Sequence, residues 1–231
     1  MLNASRFKFI LWDVDDTLVD FAKSERASLL HCFSSFGIEL SDADLQKYSE
    51  INHGYWRLLE QGKLVKAQVL ENRFTDFFDY LGSKDIDPSE MNLLFQSSLA
   101  DYSVINDGAL KLCKELKSSC RQYVVSNGTA LAQNKKLKST GLIDCMEGVF
   151  ISEALGFEKP DIRFFERAFE QIPDFSRDSA LIIGDSLTSD MQGGNNAEIA
   201  CCWYNPKRLP LPLSPKIDFE INNLNEIKSI L

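Results

Sequence analysis

The stretch FILWDVDDTLVDF, residues 9–21, places Asp13, Asp15, Asp16 and Asp20 directly behind an apolar run. Like charges that lie close together raise one another's pKa and destabilise a fold unless a positive charge lies between them. The cation that carboxylates and a substrate phosphate hold together in proteins is typically Mg²⁺, which keeps several of its waters. The cluster therefore predicts a bound cation, for which Mg²⁺ is the candidate.

Later segments of the chain supply the other polar side chains that such a site needs. Ser126 and Asn127 follow the apolar run QYVV, Lys159 lies in GFEKPD, and Asp185 and Asp190 belong to GDSLTSD, which follows the run ALII. In open α/β sheets, ligands collect outside the carboxyl ends of the strands. If each apolar run is a strand, these side chains converge on one crevice.

Three aspartates are the candidate metal ligands: Asp13, Asp15 and Asp185. Asp13 is also the candidate nucleophile, because a carboxylate neutralised by a metal can approach a phosphoryl group and form an aspartyl-phosphate. Asp15, two residues further on, is the candidate general acid. It would protonate the leaving oxygen and then deprotonate the attacking water.

The predicted phosphate-binding residues are Thr17, Ser126, Asn127 and Lys159. Lys159 adds a fixed positive charge, and Ser126 with the backbone N–H groups after it adds donors for the phosphoryl oxygens. We expect Asp190 to lie behind them and to hold Lys159 or the waters of the metal.

Each segment also has an ordinary structural interpretation. An isolated D-x-D can be a turn, SNG is typical of tight turns, KP of a helix start, and GDS of a helix N-cap. The combination favours a site, since all four segments occur in the chain, each at the end of a predicted element or at the approach to one.

Short apolar runs alternate with helical patterns along most of the chain. The runs are KFILWDV, QYVVSN, GVFIS, ALIIGD and CCWYN. Such alternation predicts βαβ units and a largely parallel sheet, which is an α/β fold. After the proline-containing segment 205–216, we expect a last short strand and a helix.

The segment 21–101 has a different character, with four stretches of helical spacing separated by helix breakers. It predicts an all-helical cap inserted after the first strand of a core domain that comprises residues 1–20 and 102–231. Only 32 residues lie between Ser126 and Lys159, which leaves no room for a second cap.

Composition excludes several classes of partner. The 25 Lys and Arg against 34 Asp and Glu give a net charge of −9, which offers no counterion-release drive toward polymeric nucleic acid. No run approaches the roughly 18 apolar residues of a membrane span, and the N-terminus has no signal-peptide pattern. Six cysteines form no C-x-x-C pair and are interpreted as reduced. The predicted location is the cytoplasm, and the oligomeric state stays open.

The segments DVDDT, SNG, KP and GDSLTSD resemble, in this order, the motifs of the haloacid dehalogenase-like (HAD) hydrolase superfamily. The resemblance implies a Rossmann-like parallel sheet, with Mg²⁺ as cofactor and an aspartyl-phosphate mechanism. It also implies that Asp13 is nucleophile and metal ligand, that Asp15 is the acid/base and binds the metal through its backbone carbonyl, and that Asp185 completes the metal site. Ser126 and Lys159 would bind phosphate.

Asp15 also narrows the subclass within this superfamily. Dehalogenase members need no acid two residues after the nucleophile, because halide leaves unprotonated, and phosphonate-cleaving members also depart from Asp there. The presence of Asp15 therefore favours the cleavage of phosphate esters.

The strings INHGYWRLLEQGKLVKAQVLENRF and DMQGGNNAEIACCWYN are similar to the 5′-nucleotidase subfamily that dephosphorylates pyrimidine nucleoside monophosphates. A nucleotide-binding cap needs an aromatic surface for the base and amide or guanidinium groups for its edge. The cap residues that could supply them are Asn52, Tyr55, Trp56, Gln68 and Arg73. The aromatic pairs of the cap are also what the inner face of a helical bundle would contain.

Two other functions share parts of this pattern. A sugar-phosphate phosphatase or a phosphoglucomutase would have the same core residues and differ only in the cap. A phospho-acceptor receiver module also places acidic residues and a Lys around Mg²⁺, but it carries its phosphorylated Asp after a middle strand. Steady turnover of p-nitrophenyl phosphate would separate an enzyme from the receiver module.

Overall fold

A computed structural model describes residues 6–83 and 85–231. The chain divides into two compact units. One contains the described residues up to Phe21 together with Ser103–Leu231, and we call it the α/β unit. The other, Ala22–Tyr102, we call the helical unit. The sequence placed these boundaries after residues 20 and 101, and its predicted core also included residues 1–5, which lie outside the described residues.

The α/β unit is built on one six-stranded parallel sheet with the strand order β3-β2-β1-β4-β5-β6. The strands are β1 (Phe9–Trp12), β2 (Arg121–Ser126), β3 (Gly148–Ile151), β4 (Ala180–Gly184), β5 (Ala200–Tyr204) and β6 (Phe219–Ile221). Every neighbouring pair is parallel. The predicted α/β fold class is confirmed, and so is the last short strand after the proline-containing segment.

Both faces of the sheet are buried, which explains why its strands are continuous apolar runs. Along β1, Ile10 and Trp12 pack into one hydrophobic cluster, whereas Phe9 and Leu11 pack into another. Successive side chains of a strand point to opposite faces, so each face receives every second residue.

Helices connect the strands of the α/β unit. They are α5 (Ala109–Leu116), α6 (Ala130–Ser139), α7 (Ser152–Leu155), α8 (Ile162–Phe169) and α9 (Gln192–Asn196). A short π-helical segment, Leu187–Met191, precedes α9. The helix expected at the end of the chain is a 3₁₀ helix, Leu224–Ser229.

The helical unit contains the four predicted helices. They are α1 (Phe21–Ser35, of which Phe21 belongs to the α/β unit), α2 (Asp42–Glu60), α3 (Lys66–Leu81) and α4 (Pro88–Asp101). A capping box at Ser41 begins α2, and Pro88 occupies the first turn of α4, where its missing N–H costs no hydrogen bond. Aromatic rings fill the interior; Tyr48 lies 5.2 Å from both Phe74 and Phe77 between ring centroids.

The two connections that lead out of the α/β unit lie side by side within it. Val19 forms an antiparallel bridge with Ile105. The backbone N–H of Asp20 donates to the carbonyl of Val104 at 2.8 Å. The inserted segment therefore starts and ends at one point of the α/β unit.

None of the helices in the described part of the chain is long and apolar enough to cross a membrane. All six cysteines are buried and carry free thiols. The thiols of Cys113 and Cys202 have raised pKa values because burial disfavours the thiolate. These cysteines are therefore small apolar core residues.

Candidate active site

Three of the predicted site residues of the α/β unit lie at the carboxyl ends of three adjacent strands, β2, β1 and β4. Ser126 is the last residue of β2, Asp13 follows β1 and Asp185 follows β4. The backbone N–H of Asp13 donates to the carbonyl of Ile183 at 2.9 Å, which continues the β1–β4 pairing to this residue. The strand ends thus bring together groups that are far apart in the sequence.

Three carboxylates converge at this edge of the sheet. One oxygen atom from each of Asp13, Asp185 and Asp190 lies within 4.8 Å of the others, which is the arrangement that a metal ion requires. Sequence reasoning put Asp15 among the metal ligands and Asp190 behind them. In the structure the third converging carboxylate is that of Asp190, and the side chain of Asp15 points to other partners described below.

Lys159 connects two of these carboxylates. Its Nζ atom donates to Oδ1 of Asp13 at 2.7 Å and to Oδ1 of Asp190 at 2.6 Å. A third hydrogen bond goes to the carbonyl of Val125 at 2.8 Å. The side chain is 1% exposed, so all three donors of the ammonium group are satisfied inside the protein. The predicted contact between Asp190 and Lys159 is present.

Asn127 holds the backbone of Lys159 in place. Its Nδ2 donates to the carbonyl of Lys159 at 2.9 Å, and its Oδ1 accepts from the N–H of Lys159 at 2.8 Å. The side chain that was predicted to bind phosphate thus links the loop after β2 to the loop before α8. Ser126 Oγ accepts from the N–H of Gly128 at 3.0 Å, and its own proton stays available for another acceptor.

Burial and mutual repulsion perturb the ionisation of this cluster. Burial raises the pKa of the Asp13 carboxyl to about 8, although Lys159 acts in the opposite direction. Burial is the main cause that raises the pKa of Asp185, and the negative charge of Asp13 is the second. Burial lowers the pKa of the Lys159 ammonium, but the carboxylates of Asp13 and Asp190 outweigh it and raise that pKa overall. Clustered carboxylates of this kind favour the binding of a divalent cation.

The position of Asp190 depends on a glycine. A Cβ atom on Gly184 would lie 2.2 Å from Oδ2 of Asp190, so only glycine lets this carboxylate approach the end of β4. The same Oδ2 atom accepts from the N–H of Ser186 at 3.1 Å. The GDSLTSD motif therefore folds back on its own first residue.

Asp15 lies beside the cluster, and its carboxylate has its own partners on α6. Gln133 Nε2 donates to Oδ2 of Asp15 at 2.6 Å. Lys136 forms an ion pair with Oδ1 of the same carboxylate. Sequence reasoning missed both residues because it considered only strand ends. The signal that could have found them is the Q-x-x-K spacing in the helix that follows SNG, which puts both side chains on one face of that helix.

Thr17 shows an unused polar atom near the end of the first motif. Its Oγ1 is buried and has no hydrogen-bond partner among the residues that the structure describes. Its carbonyl accepts from Nδ2 of Asn106 at 2.7 Å, which holds the backbone in place. A buried hydroxyl without a partner is rare in native proteins, so this atom is a candidate for contact with a bound group.

Three of the predicted cap residues form one buried network inside the helical unit. Oδ1 of Asn52 accepts from Trp56 Nε1 at 3.0 Å and from Arg73 Nη1 at 3.0 Å. Nδ2 of Asn52 donates to Oε1 of Glu25 at 2.7 Å. Arg73 also donates to Asn92 at 2.7 Å. Asn52 thus fixes the position of the half-buried Trp56 indole.

The other two cap residues lie apart from this network. The hydroxyl of Tyr55 donates to Oδ2 of Asp76 at 2.7 Å. Gln68 completes the capping interaction at the start of α3, where its Oε1 accepts from the N–H of Val65 at 3.1 Å. Their role in recognising a substrate stays a prediction.

Comparisons with known proteins place the chain in a family of hydrolases. The sequence model of the haloacid dehalogenase-like hydrolases matches residues 7–198. A Bacillus subtilis protein described as a HAD-hydrolase, YfnB, is 35% identical to this chain over 226 residues, which cover 98% of this chain and 96% of the relative. The match includes every predicted site residue of the α/β unit.

Two further relatives are named pyrimidine 5′-nucleotidases. PynA of Streptococcus pneumoniae is 34% identical over 97% of this chain and 95% of its own length. YjjG of Escherichia coli is 27% identical over 98% of each chain. Among solved structures, that of YfnB bound to magnesium, described as revealing interdomain movement, matches with a TM-score of 0.92 over 98% of this chain and 99% of that chain.

Proposed function

The chain belongs to the haloacid dehalogenase-like hydrolase family, and we propose that it is a Mg²⁺-dependent phosphomonoesterase that forms an aspartyl-phosphate on Asp13. The observation that carries the proposal is the convergence of Asp13, Asp185 and Asp190 at the carboxyl ends of the strands, with Lys159 between two of them. We further propose that the substrate is a pyrimidine nucleoside 5′-monophosphate. It would be a small cytoplasmic metabolite.

The donor set fits Mg²⁺. Carboxylate oxygens are hard ligands, and the three carboxylates converge closely enough to share one ion. Asp13 and Asp185 would hold it, with the backbone carbonyl of Asp15 as the further predicted ligand. When bound, Mg²⁺ supplies positive charge to the phosphoryl group and to the carboxylate that attacks it.

The first half of the reaction transfers the phosphoryl group to the protein. A carboxylate oxygen of Asp13 forms a bond to phosphorus while the bond between phosphorus and the ester oxygen breaks. Asp15, which has to enter this step in its protonated form, gives its proton to that departing oxygen, so the nucleoside leaves as an alcohol. Ser126 Oγ–H offers a hydrogen bond to the phosphoryl oxygens, and the ammonium of Lys159 offers its positive charge.

The second half returns the protein to its starting state. Asp15, now a carboxylate, takes a proton from water as the water oxygen bonds to phosphorus. The bond between phosphorus and Asp13 breaks, inorganic phosphate leaves, and Asp13 is again a free carboxylate. Asp15 ends the cycle with the proton that it held at the start.

The pyrimidine substrate rests on the names of two relatives and on groups in the helical unit. An indole or phenol ring offers a flat surface for a base, and Trp56 and Tyr55 are both half-buried rather than enclosed. Asn52 and Arg73 are buried and hydrogen-bonded within the unit. We infer that they act by holding Trp56, and that a pyrimidine-sized site rejects purines by overlap.

A panel of phosphorylated metabolites tests the substrate. We expect kcat/KM to be higher for UMP, dUMP and dTMP than for AMP, GMP or hexose phosphates, with modest differences within the pyrimidine group. A hexose phosphate that outruns every nucleotide would replace the nucleotidase by a sugar-phosphate phosphatase or phosphoglucomutase. Absence of steady p-nitrophenyl phosphate turnover with Mg²⁺ would favour the receiver-type module instead.

A variant of the aromatic surface tests base recognition separately. Trp56→Ala should raise KM for UMP by about fivefold, since one buried aromatic contact is worth roughly 1 kcal/mol, and should change KM for p-nitrophenyl phosphate much less. The matched control is Tyr80→Ala, which removes an exposed aromatic ring from the same unit. Equal changes for both substrates would contradict a role of Trp56 in base binding.

A further inference from the structure

The helix α6 carries two buried polar side chains that both reach Asp15. Thr129 caps the helix, with its Oγ1 accepting from the N–H of Ala132. Gln133 and Lys136 follow on one face, three residues apart. Gln133 is 1% exposed and Lys136 is 0% exposed. One turn of this helix thus delivers an amide and a positive charge to a single carboxylate.

The buried ammonium group of Lys136 would destabilise the fold unless it had a partner of opposite charge. An ammonium group without a partner in the protein interior is strongly unfavourable, so a buried lysine must be paired. The ion pair of Lys136 is with Asp15. The aromatic ring of Phe21 is also near, with 5.7 Å between Nζ and the ring centroid. Lys136 is therefore held in one orientation.

The side chain of Gln133 lies against the backbone at Gly128. A Cβ atom on Gly128 would lie 2.3 Å from Nε2 of Gln133, so the SNG motif leaves room for this amide only because its third residue is glycine. The other end of the amide, Oε1, is buried without a hydrogen-bond partner in the described part of the chain. This geometry satisfies the contact with Asp15 at the expense of Oε1.

We propose that Gln133 and Lys136 are positioning residues for Asp15. Gln133 contacts one oxygen of the carboxylate and Lys136 contacts the other. These two contacts hold the carboxylate in one rotamer and keep it out of the cluster formed by Asp13, Asp185 and Asp190. The proposal rests on the proposed function, in which Asp15 is the general acid and base.

These two contacts separate the role of Asp15, as general acid and base, from that of Asp13, as nucleophile, although the two residues are close in the sequence. A carboxylate that turned toward the metal site would become a ligand and would no longer serve the leaving oxygen. Loss of these contacts should therefore slow the reaction most for leaving groups that cannot depart without a proton. A nucleoside alkoxide needs that proton, whereas p-nitrophenolate departs without it.

The experiment measures the single-turnover burst of alcohol release from UMP and of p-nitrophenol from p-nitrophenyl phosphate. We expect Lys136→Met to slow the UMP burst by about tenfold or more, since general acid catalysis is typically worth a hundredfold or more. The p-nitrophenol burst should change less than about threefold. Lys136→Arg should recover much of the UMP burst. The matched control is Lys138→Met on the exposed side of the same helix, with both bursts unchanged.

Gln133→Glu provides a second variant of nearly the same shape, so the test does not depend on Lys136 alone. It replaces the donor to Asp15 by a like charge and should also slow the UMP burst selectively. Thermal unfolding reports whether each variant is folded. A variant in which both bursts slow equally would show a structural role and would overturn the proposal.

A double-variant cycle separates this proposal from the proposed function. If Lys136 acts through Asp15, then Lys136→Met should cost the UMP burst little more in an Asp15→Asn background. Full additivity would overturn the positioning role while leaving the acid role of Asp15 intact. An Asp15→Asn variant with a normal UMP burst would instead refute the acid role on which the proposal rests.

Discussion

The Nζ atom of Lys159 lies 2.7 Å from Oδ1 of Asp13 and 2.6 Å from Oδ1 of Asp190. The residue that would attack phosphorus is thus already paired with a buried positive charge. Because the ammonium has a further hydrogen bond to the carbonyl of Val125, its position is determined by the sheet itself. The pairing ties the reactivity of Asp13 to the stability of the fold.

Asp13→Asn tests the nucleophile. The amide keeps the size of the side chain but cannot form the phosphorus bond, so turnover of any phosphate ester should fall by about a thousandfold or more. The protein should remain folded by circular dichroism. Beryllium fluoride with Mg²⁺ should bind the parent protein and fail to bind the variant. Asp107→Asn, at an exposed position of the α/β unit, is the control, and near-parental rates in Asp13→Asn would contradict the mechanism.

Lys159→Met tests the ion-pair network. Removal of one partner leaves two buried carboxylates without their cation, which should lower the free energy of unfolding by about 3 to 5 kcal/mol. Urea unfolding measures the loss, with exposed Lys207→Met as the control. Mg²⁺ should stabilise the variant more than the parent protein, because the ion would replace the missing charge. A loss below about 1 kcal/mol, typical of surface pairs, would contradict a structural role of this network.

Gly184→Ala tests the close approach of Asp190 to the end of β4. The new methyl group would overlap Oδ2 of Asp190 and push this carboxylate away from the cluster. We expect Mg²⁺ affinity, measured by calorimetry, to fall by about tenfold or more, the scale lost when groups around a metal are displaced.

Gly54→Ala is the matched control for that substitution. Gly54 lies in α2 with no atom near the position of an added Cβ. The same change should leave Mg²⁺ binding unaltered and stabilise the protein by roughly 0.5 to 1 kcal/mol, since alanine is the better helix former. Unchanged Mg²⁺ affinity in Gly184→Ala would show that Asp190 tolerates displacement.

Glu25 in the helical unit predicts a pH dependence of stability. Burial raises the pKa of its carboxyl above the ordinary value of 4.5, although His53 and the hydrogen bond from Asn52 act in the other direction. The folded state therefore binds the proton more tightly than the unfolded state. Its contribution to stability is fully present below the unfolded pKa and is lost as the pH rises through the folded pKa.

Glu25→Gln removes this dependence while keeping an oxygen acceptor for Asn52. The Tm of the variant relative to the parent protein should therefore increase as the pH rises from about 4.5. Exposed Glu39→Gln, in the same unit, should give a difference that stays flat with pH. A flat difference for Glu25→Gln as well would show that burial of this carboxyl does not control the stability of the unit.

Most of the fold followed from local pattern. The runs around Trp12, Val124 and Ile182 could be recognised as strands because both faces of the sheet are buried and leave few polar residues in them. The helices of the inserted segment followed from their period. The final helix was harder, because its short 3₁₀ form at Leu224–Ser229 differs little in pattern from an α-helical turn.

The site was predictable to the extent that its residues follow strands. Asp13 and Asp185 could be placed together because parallel strands end at one edge of the sheet. The partners of Asp15 were missed, because the Q-x-x-K spacing of Gln133 and Lys136 shows only that they share a helix face, and that buried face also carries apolar residues such as Leu137. Their contacts span more than a hundred positions in the chain, and no local pattern encodes that distance.

The bridge between Val19 and Ile105 has a consequence for how such a protein can change over time. The two ends of the inserted segment are hydrogen-bonded to each other within the α/β unit. The entropic cost of bringing these ends together grows only slowly with the length of the segment between them. The inserted segment is therefore a replaceable module. A lineage could replace or reshape it while the aspartates at the strand ends keep their positions in the α/β unit.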